Sequence, residues 1–239
     1  MNGTTAVVTG GTRGIGRAVA EAFVDEGATV VVGARDGDDV TETVDALEER
    51  LESSESTDAA AAGLRTDVRD EYDLERLVET GSRTGSSAGI DVLVPAAGVY
   101  HGNPGSTPTD RESYSAFDDH WRINARGVFG AILEALPHLN AGARVLVPTG
   151  AVAREAKSGY GSYAISKATA EAVARGFAAD TEYTVGCLDL GQVATALSGG
   201  QGRDPDSIAG MFVWAATDAE SDAIDGTVVD LRTWKQATR

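Results

Sequence analysis

Tyr163 and Lys167 stand four residues apart, a spacing that on a helix sets both side chains on one face with their polar heads near a common ligand. A phenol that titrates near ~10 is a poor base at neutral pH, and a neighbouring ammonium would stabilise the phenolate and lower its pKa. The pair could move a proton to or from an oxygen. A second constellation opens the chain, Thr9-Gly10-Gly11-Thr12-Arg13-Gly14-Ile15-Gly16. In a turn from strand to helix, Gly10 permits the tight reversal, Gly14 lets the backbone approach a pyrophosphate, and Gly16 lets the helix pack closely on the strand. The phosphates would lie at the positive helix N-terminus, beside Thr12, Arg13 and Ile15.

Both constellations need a scaffold of alternating strands and helices, and the hydrophobic pattern supplies one. Strands are expected at 5–9, 28–33, 64–66, 91–94, 143–147, 183–188 and 227–231. Helices are expected at 14–26, 38–52, 70–83, within 111–139, at 158–179 and at 206–217. The Ser/Ala-rich stretch 53–63 reads as a surface connector and 100–110, rich in Gly, Pro and Thr, as a loop. This is the α/β pattern of a doubly wound parallel sheet, about seven strands with helices on both faces, in one domain spanning 1–239.

The chain has 37 acidic against 20 Lys plus Arg residues in 239, a formal charge of −17. No basic run offsets it, so a nucleic-acid partner is not expected, since phosphates are held by basic side chains. No uncharged apolar stretch approaches the ~18 residues of a membrane span. The start of the chain lacks the basic and apolar regions of a secretory signal, and Cys187 is the lone cysteine; a cytoplasmic protein is expected. Only Lys157, Lys167 and Lys235 are lysines. An acid-rich, lysine-poor composition suits concentrated salt, where screening acts within ~3 Å and relieves carboxylate repulsion, so a halophilic source is expected. His101, His120 and His138 stand singly, without metal-ligand spacing, and read as loop or surface residues. Trp121, Trp214 and Trp234 read as packing residues, and Cys187 as a small core residue.

The GxxxGxG spacing of the glycine turn resembles that of the short-chain dehydrogenase/reductase family. Further motifs extend the resemblance over essentially the whole chain, in order: Asp67-Val68 after strand three, Ala97-Gly98 after strand four, Asn124 within a helical segment, Tyr163-Ala164-Ile165-Ser166-Lys167 as YxxxK, and Leu190-Gly191-Gln192-Val193-Ala194-Thr195 in place of PGxVxT. The resemblance implies a Rossmann fold and an NAD(P)-dependent oxidoreductase that moves a hydride between nicotinamide and a carbonyl or secondary alcohol. It makes Tyr163 the general acid/base, gives Lys167 the nicotinamide ribose as well as the phenol, has Asn124 hold a water in a proton relay, and turns Asp67 toward the adenine. It also implies a homodimer or homotetramer through the helices bearing Asn124 and Tyr163; the run Val128, Phe129, Ile132, Leu133 and Leu136 supplies an apolar face for such an interface, and core packing alone explains it equally.

Cofactor choice rests on Gly33-Ala34-Arg35-Asp36. The acid that selects NAD in this family usually stands where Ala34 is, whereas Arg35, helped by Arg13, could neutralise a 2′-phosphate. NADP(H) is therefore favoured over NAD(H), with Asp36 read as a helix N-terminal acid.

Two motifs depart from the family. Asn-Asn-Ala-Gly is replaced by Pro95-Ala96-Ala97-Gly98, and the catalytic serine position, thirteen residues before the tyrosine, is Gly150. Loss of such a donor costs about 10² to 10³ in rate in other systems. Thr149 could supply the hydroxyl if the register slips by one residue; otherwise its side chain points to the opposite face. A catalytically weak dinucleotide-binding protein, acting as a redox-responsive partner or assembly subunit, is thus the alternative. The short, glycine-rich segment 196–205 stands where the family carries its substrate lid.

Overall fold

A computed structural model describes residues 1–53 and 58–239. Seven strands form one parallel sheet in the order β3-β2-β1-β4-β5-β6-β7: β1 Thr5–Thr9, β2 Thr29–Ala34, β3 Ala61–Arg65, β4 Ile90–Pro95, β5 Leu139–Thr149, β6 Thr184–Asp189 and β7 Val228–Asp230. The helices are α1 Gly14–Asp25, α2 Gly37–Glu52, α3 Glu71–Thr84, α4 Tyr114–His120, α5 Arg126–Ala135, α6 Gly161–Asp180, α7 Asp206–Thr217, α8 Ser221–Ile224 and α9 Leu231–Ala237. The strand order reverses between β1 and β4, and in a sheet of this kind the crevice beyond the carboxyl ends at that point receives the ligand.

Alternation along β1 sorts the core into two layers. Ala6 and Val8 face Val19 and Phe23 of α1 and Phe212 of α7. Val7 faces Leu77 of α3, Ile132 of α5 and Ala170 of α6. Each β-branched strand residue therefore buries against a helix on its own side, as parallel sheets require. Among the described residues no helix is long and apolar enough to cross a membrane.

Some boundaries differ from those expected. β3 begins at Ala61, inside the stretch read as connector, because Ala61, Ala62 and Gly63 pair with Val30, Val31 and Val32. At Gly63 an added Cβ would meet Val40 Cγ1 at 2.6 Å, so the small residues admit α2 against the sheet. Residues 54–57 of that connector lie outside the described part. The segment 111–139 is broken into α4, a π-turn at Trp121–Ala125, α5 and a 3-10 turn. The last strand is followed by α9, capped by Asp230, which accepts from the Thr233 N–H at 2.7 Å. Of the tryptophans, Trp214 is buried and Trp121 is 45% exposed, so Trp121 is not a packing residue. Cys187 is buried in β6, and burial pushes its thiol up to about 12.

Candidate active site

The glycine turn leaves β1 with Gly10 in the left-handed region, at φ +67°, where a Cβ would stand 2.7 Å from Ala97 Cα. A Cβ on Gly16 would strike the Gly10 carbonyl. The turn feeds α1, whose N-cap Arg13 offers no side-chain bond and whose first turn holds no acid. The next two helices differ. Asp36 caps α2 by accepting from Asp38 and Asp39, and Asp70 caps α3 by accepting from Tyr72 and Asp73; each first turn carries two acids. In an acidic chain that fills the starts of α2 and α3 with carboxylates, α1 alone of the three keeps its N-terminal donors for an external anion.

Those donors face a cavity of about 410 Å³ lined by Gly10, Thr12, Arg13, Gly14, Ile15 and Gly16. Arg35, Val68, Ala97, Gly98 and Thr195 complete the expected contacts on its wall. Asp67 is not on that wall, although Thr66 and Val68 are. Its carboxylate pairs with Arg69 at 2.6 Å, and the hydrogen bond from Arg69 holds it below the usual carboxylate range. Asp36 spends its carboxylate on the α2 cap, while Arg13 pairs with Asp39. Arg35 forms no ion pair among the described residues. Asp36 and Asp39 share the wall with Arg13 and Arg35, so the fit to a dinucleotide and its diphosphate rests on the uncapped helix start, the cradle that a Cβ would fill and Arg35.

A second cavity, about 280 Å³, adjoins the first through Ile15, Ala97, Gly98 and Thr195. Asn124, Thr149, Tyr163, Lys167 and Val193 line it, so the site residues spread along the chain converge. Lys167 Nζ donates to the Pro148 carbonyl at 2.6 Å, and burial lowers its pKa. Tyr163 does not show the lowered pKa expected from its lysine. Burial first, then the phenols of Tyr100 and Tyr160, push it up to about 12.

Asn124 sits in the π-turn, a distortion that often marks functional sites. Its Oδ1 accepts from the Val99 N–H at 2.8 Å, and its Nδ2 donates to the Val99 carbonyl at 2.9 Å and to Ser166 Oγ at 3.0 Å. The side chain clasps the loop after β4 to α6. Thr149 lines the cavity, but its hydroxyl donates to Glu171 Oε1 at 2.7 Å. Glu171 is buried and also receives Arg154, which bridges to Asp189. The proton of Thr149 is thus committed away from a substrate oxygen. At Gly150 a Cβ would meet only the Gly191 carbonyl, at 3.8 Å.

The structure places His101 in an exposed loop, as expected, and corrects His120. His120 is fully buried, and its ring centroid is 5.1 Å from that of His101. The His101 N–H donates to His120 Nε2 at 2.9 Å, which leaves the ring proton on Nδ1, facing Ser162 Oγ at 2.6 Å. Glu112 accepts from the Ser162 N–H, so Glu112 and His120 anchor the first turn of α6, next to Tyr163. Sequence reasoning missed this pair because its contacts are 42 and 50 residues away. Glu171 did carry a signal, standing four residues after Lys167 on the same face.

The 196–205 segment is short, as expected, and folded back. Thr195 caps a 3-10 turn at Ala196–Ser198, and the Arg203 N–H donates to the Gln192 carbonyl at 2.9 Å.

The family model for short chain dehydrogenase matches residues 4–206. The chain belongs to this family. As a short-chain dehydrogenase/reductase it is an NAD(P)-dependent oxidoreductase. It is 31% identical to NADPH-dependent aldehyde reductase 2, chloroplastic, of Arabidopsis thaliana, over 82% of this chain and 75% of that one. A dehydrogenase/reductase from Sinorhizobium meliloti superposes with a TM-score of 0.81 at 26% identity, covering 96% of this chain and 94% of the other. A short chain dehydrogenase from Burkholderia cenocepacia, solved in complex with NADP, shares the fold with a TM-score of 0.82 at 24% identity and 96% coverage of both.

Proposed function

We propose that this short-chain dehydrogenase/reductase interconverts a small carbonyl compound and its secondary alcohol with NADP(H), using Tyr163 as acid/base. The observation that carries the reading is the convergence of Tyr163 and Lys167 on a cavity that opens into the glycine-turn crevice. A bound reduced nicotinamide supplies the hydride for the carbonyl carbon. Tyr163 delivers the proton to the carbonyl oxygen, so that C=O becomes CH–OH. Lys167, held on the Pro148 carbonyl, would bind the ribose and support the phenol. Asn124 braces the loop after β4 against α6 and would hold the water of a proton relay. The uncapped start of α1 would hold the diphosphate. Arg35, with Arg13, would hold a 2′-phosphate, and the commitment of Asp36 to its helix cap supports NADP(H) over NAD(H).

The second reading, a dinucleotide-binding protein with little turnover, is favoured by one observation: position 150 has no hydroxyl and the Thr149 proton goes to Glu171. Turnover of a carbonyl panel with NADPH separates the two. The oxidoreductase reading expects NADPH oxidation that Tyr163→Phe lowers by about 10² to 10⁴ with NADPH affinity unchanged. Tight NADPH binding without Tyr163-dependent turnover would establish the second reading instead.

The charge of −17 supports a salt-adapted cytoplasmic protein, whose melting temperature should rise between low and molar KCl. Phe129 on α5 and Ile165 on α6 are 45% and 42% exposed, which supports assembly of like chains through these helices. All seven strands join one sheet, which supports a single domain.

A further inference from the structure

The substrate half of the crevice has the opposite charge character to the rest of the molecule. About one residue in six of the chain is acidic, yet among the described residues no Asp or Glu lines this cavity, and two of the three lysines do. Lys167 belongs to the machinery beside Tyr163. Lys157 does not, and the reaction as described leaves it without a task. It forms no ion pair among the described residues; its ammonium lies over the Tyr160 ring, 5.3 Å from the centroid. The neighbouring cation, Arg154, is already neutralised by Glu171 and Asp189.

Lys157 is connected to the reacting phenol by a short aromatic wall. The Tyr160 ring stacks on Tyr100 with centroids 6.3 Å apart, and Tyr100 lies 4.7 Å from Tyr163. An ammonium held over an aromatic face keeps its remaining donors free for an anion. In a strongly negative protein, an uncompensated cation on an acid-free concave wall makes a local attractive field that the global charge would otherwise deny to an anion.

We propose that Lys157 is a substrate-recognition residue, and that the carbonyl substrate carries an anionic group, such as a carboxylate, which this ammonium binds while the carbonyl oxygen meets Tyr163. This deepens the oxidoreductase reading and rests on it. Among possible substrates it selects oxo acids over their neutral counterparts.

The test pairs 4-oxopentanoate and 5-oxohexanoate with their methyl esters, assayed with NADPH at one fixed KCl concentration on wild type, Lys157→Gln and Lys157→Arg. Wild type should prefer the better acid over its ester by about tenfold in kcat/KM, the scale of one charge-assisted contact. Lys157→Gln should bring that ratio to about one by raising KM for the acid alone, and Lys157→Arg should keep most of the preference. A wild type that prefers esters, or a preference unchanged in Lys157→Gln, would overturn the proposal. Failure of the oxidoreductase reading looks different, because then neither acids nor esters turn over in a Tyr163-dependent way. In that event titration calorimetry of the same acids and esters into the NADP⁺-saturated protein reads the same ratio as affinities, with the same outcomes deciding.

Discussion

The two halves of the crevice are built from different materials. The dinucleotide half is made by backbone: Gly10, Gly14, Gly16 and the bare start of α1, with one of its cations, Arg13, already paired to Asp39. The substrate half is made by side chains, with three phenols, two lysines and no carboxylate on its wall among the described residues. The difference shows how an acidic protein can receive a polyanion. Helix donors and close approach would hold the phosphates, which takes few charged residues, while the charged side chains would stay available for chemistry and selection.

The largest expected effect would break the backbone half. Gly16→Val puts carbon where the Gly10 carbonyl lies, and NADPH affinity should fall by about 10² or more, on the order of a few kcal/mol of overpacking; NADPH fluorescence titration measures it, with circular dichroism to check folding. Retained affinity would mean that the cradle is not what holds the dinucleotide.

In the substrate half, Gly150→Ser should raise kcat by about tenfold to 10², restoring part of what one oxyanion-type donor contributes. The backbone there has φ −156°, accessible to any residue, and a Cβ has only the Gly191 carbonyl nearby. Steady-state rates on the best carbonyl substrate test this. An unchanged rate would show that another group already serves the substrate oxygen.

The smallest effect is on the pH profile of carbonyl reduction, and its sign follows from the burial of Tyr163. With the phenol pushed up to about 12, its protonated form, the one needed for carbonyl reduction, persists through neutrality. Reduction should therefore be nearly flat from about pH 6 to 9, whereas alcohol oxidation, which needs the phenolate, should rise about tenfold per unit over that range. An oxidation rate that levels off near neutrality would show that Lys167 and the bound dinucleotide lower the phenol after all.

Much of the fold is legible in the sequence because strand and helix periods are local. The order of the seven strands along the chain, the glycine turn and the 3.6-residue pattern of α6 follow from residues close in the chain. β3 was displaced because Ala61–Gly63 have little strand propensity of their own and take strand form from pairing with β2. α9 was missed although Asp230 offers a cap signal three residues before Thr233.

The site divides in the same way. Tyr163, Lys167 and the three glycines are fixed by spacing within one turn or one helix, so the sequence alone determines that a glycine turn opens α1 and that a phenol and an ammonium share one face of α6. The destination of the Thr149 hydroxyl is 22 residues away at Glu171, and the burial of His120 depends on Ser162, 42 residues away. The acid-free wall around Lys157 is assembled from loops and helices spread over most of the chain. Only tertiary structure could decide these, because a hydrogen bond or a local field depends on which groups meet in space, and sequence spacing beyond a helical turn does not set that distance.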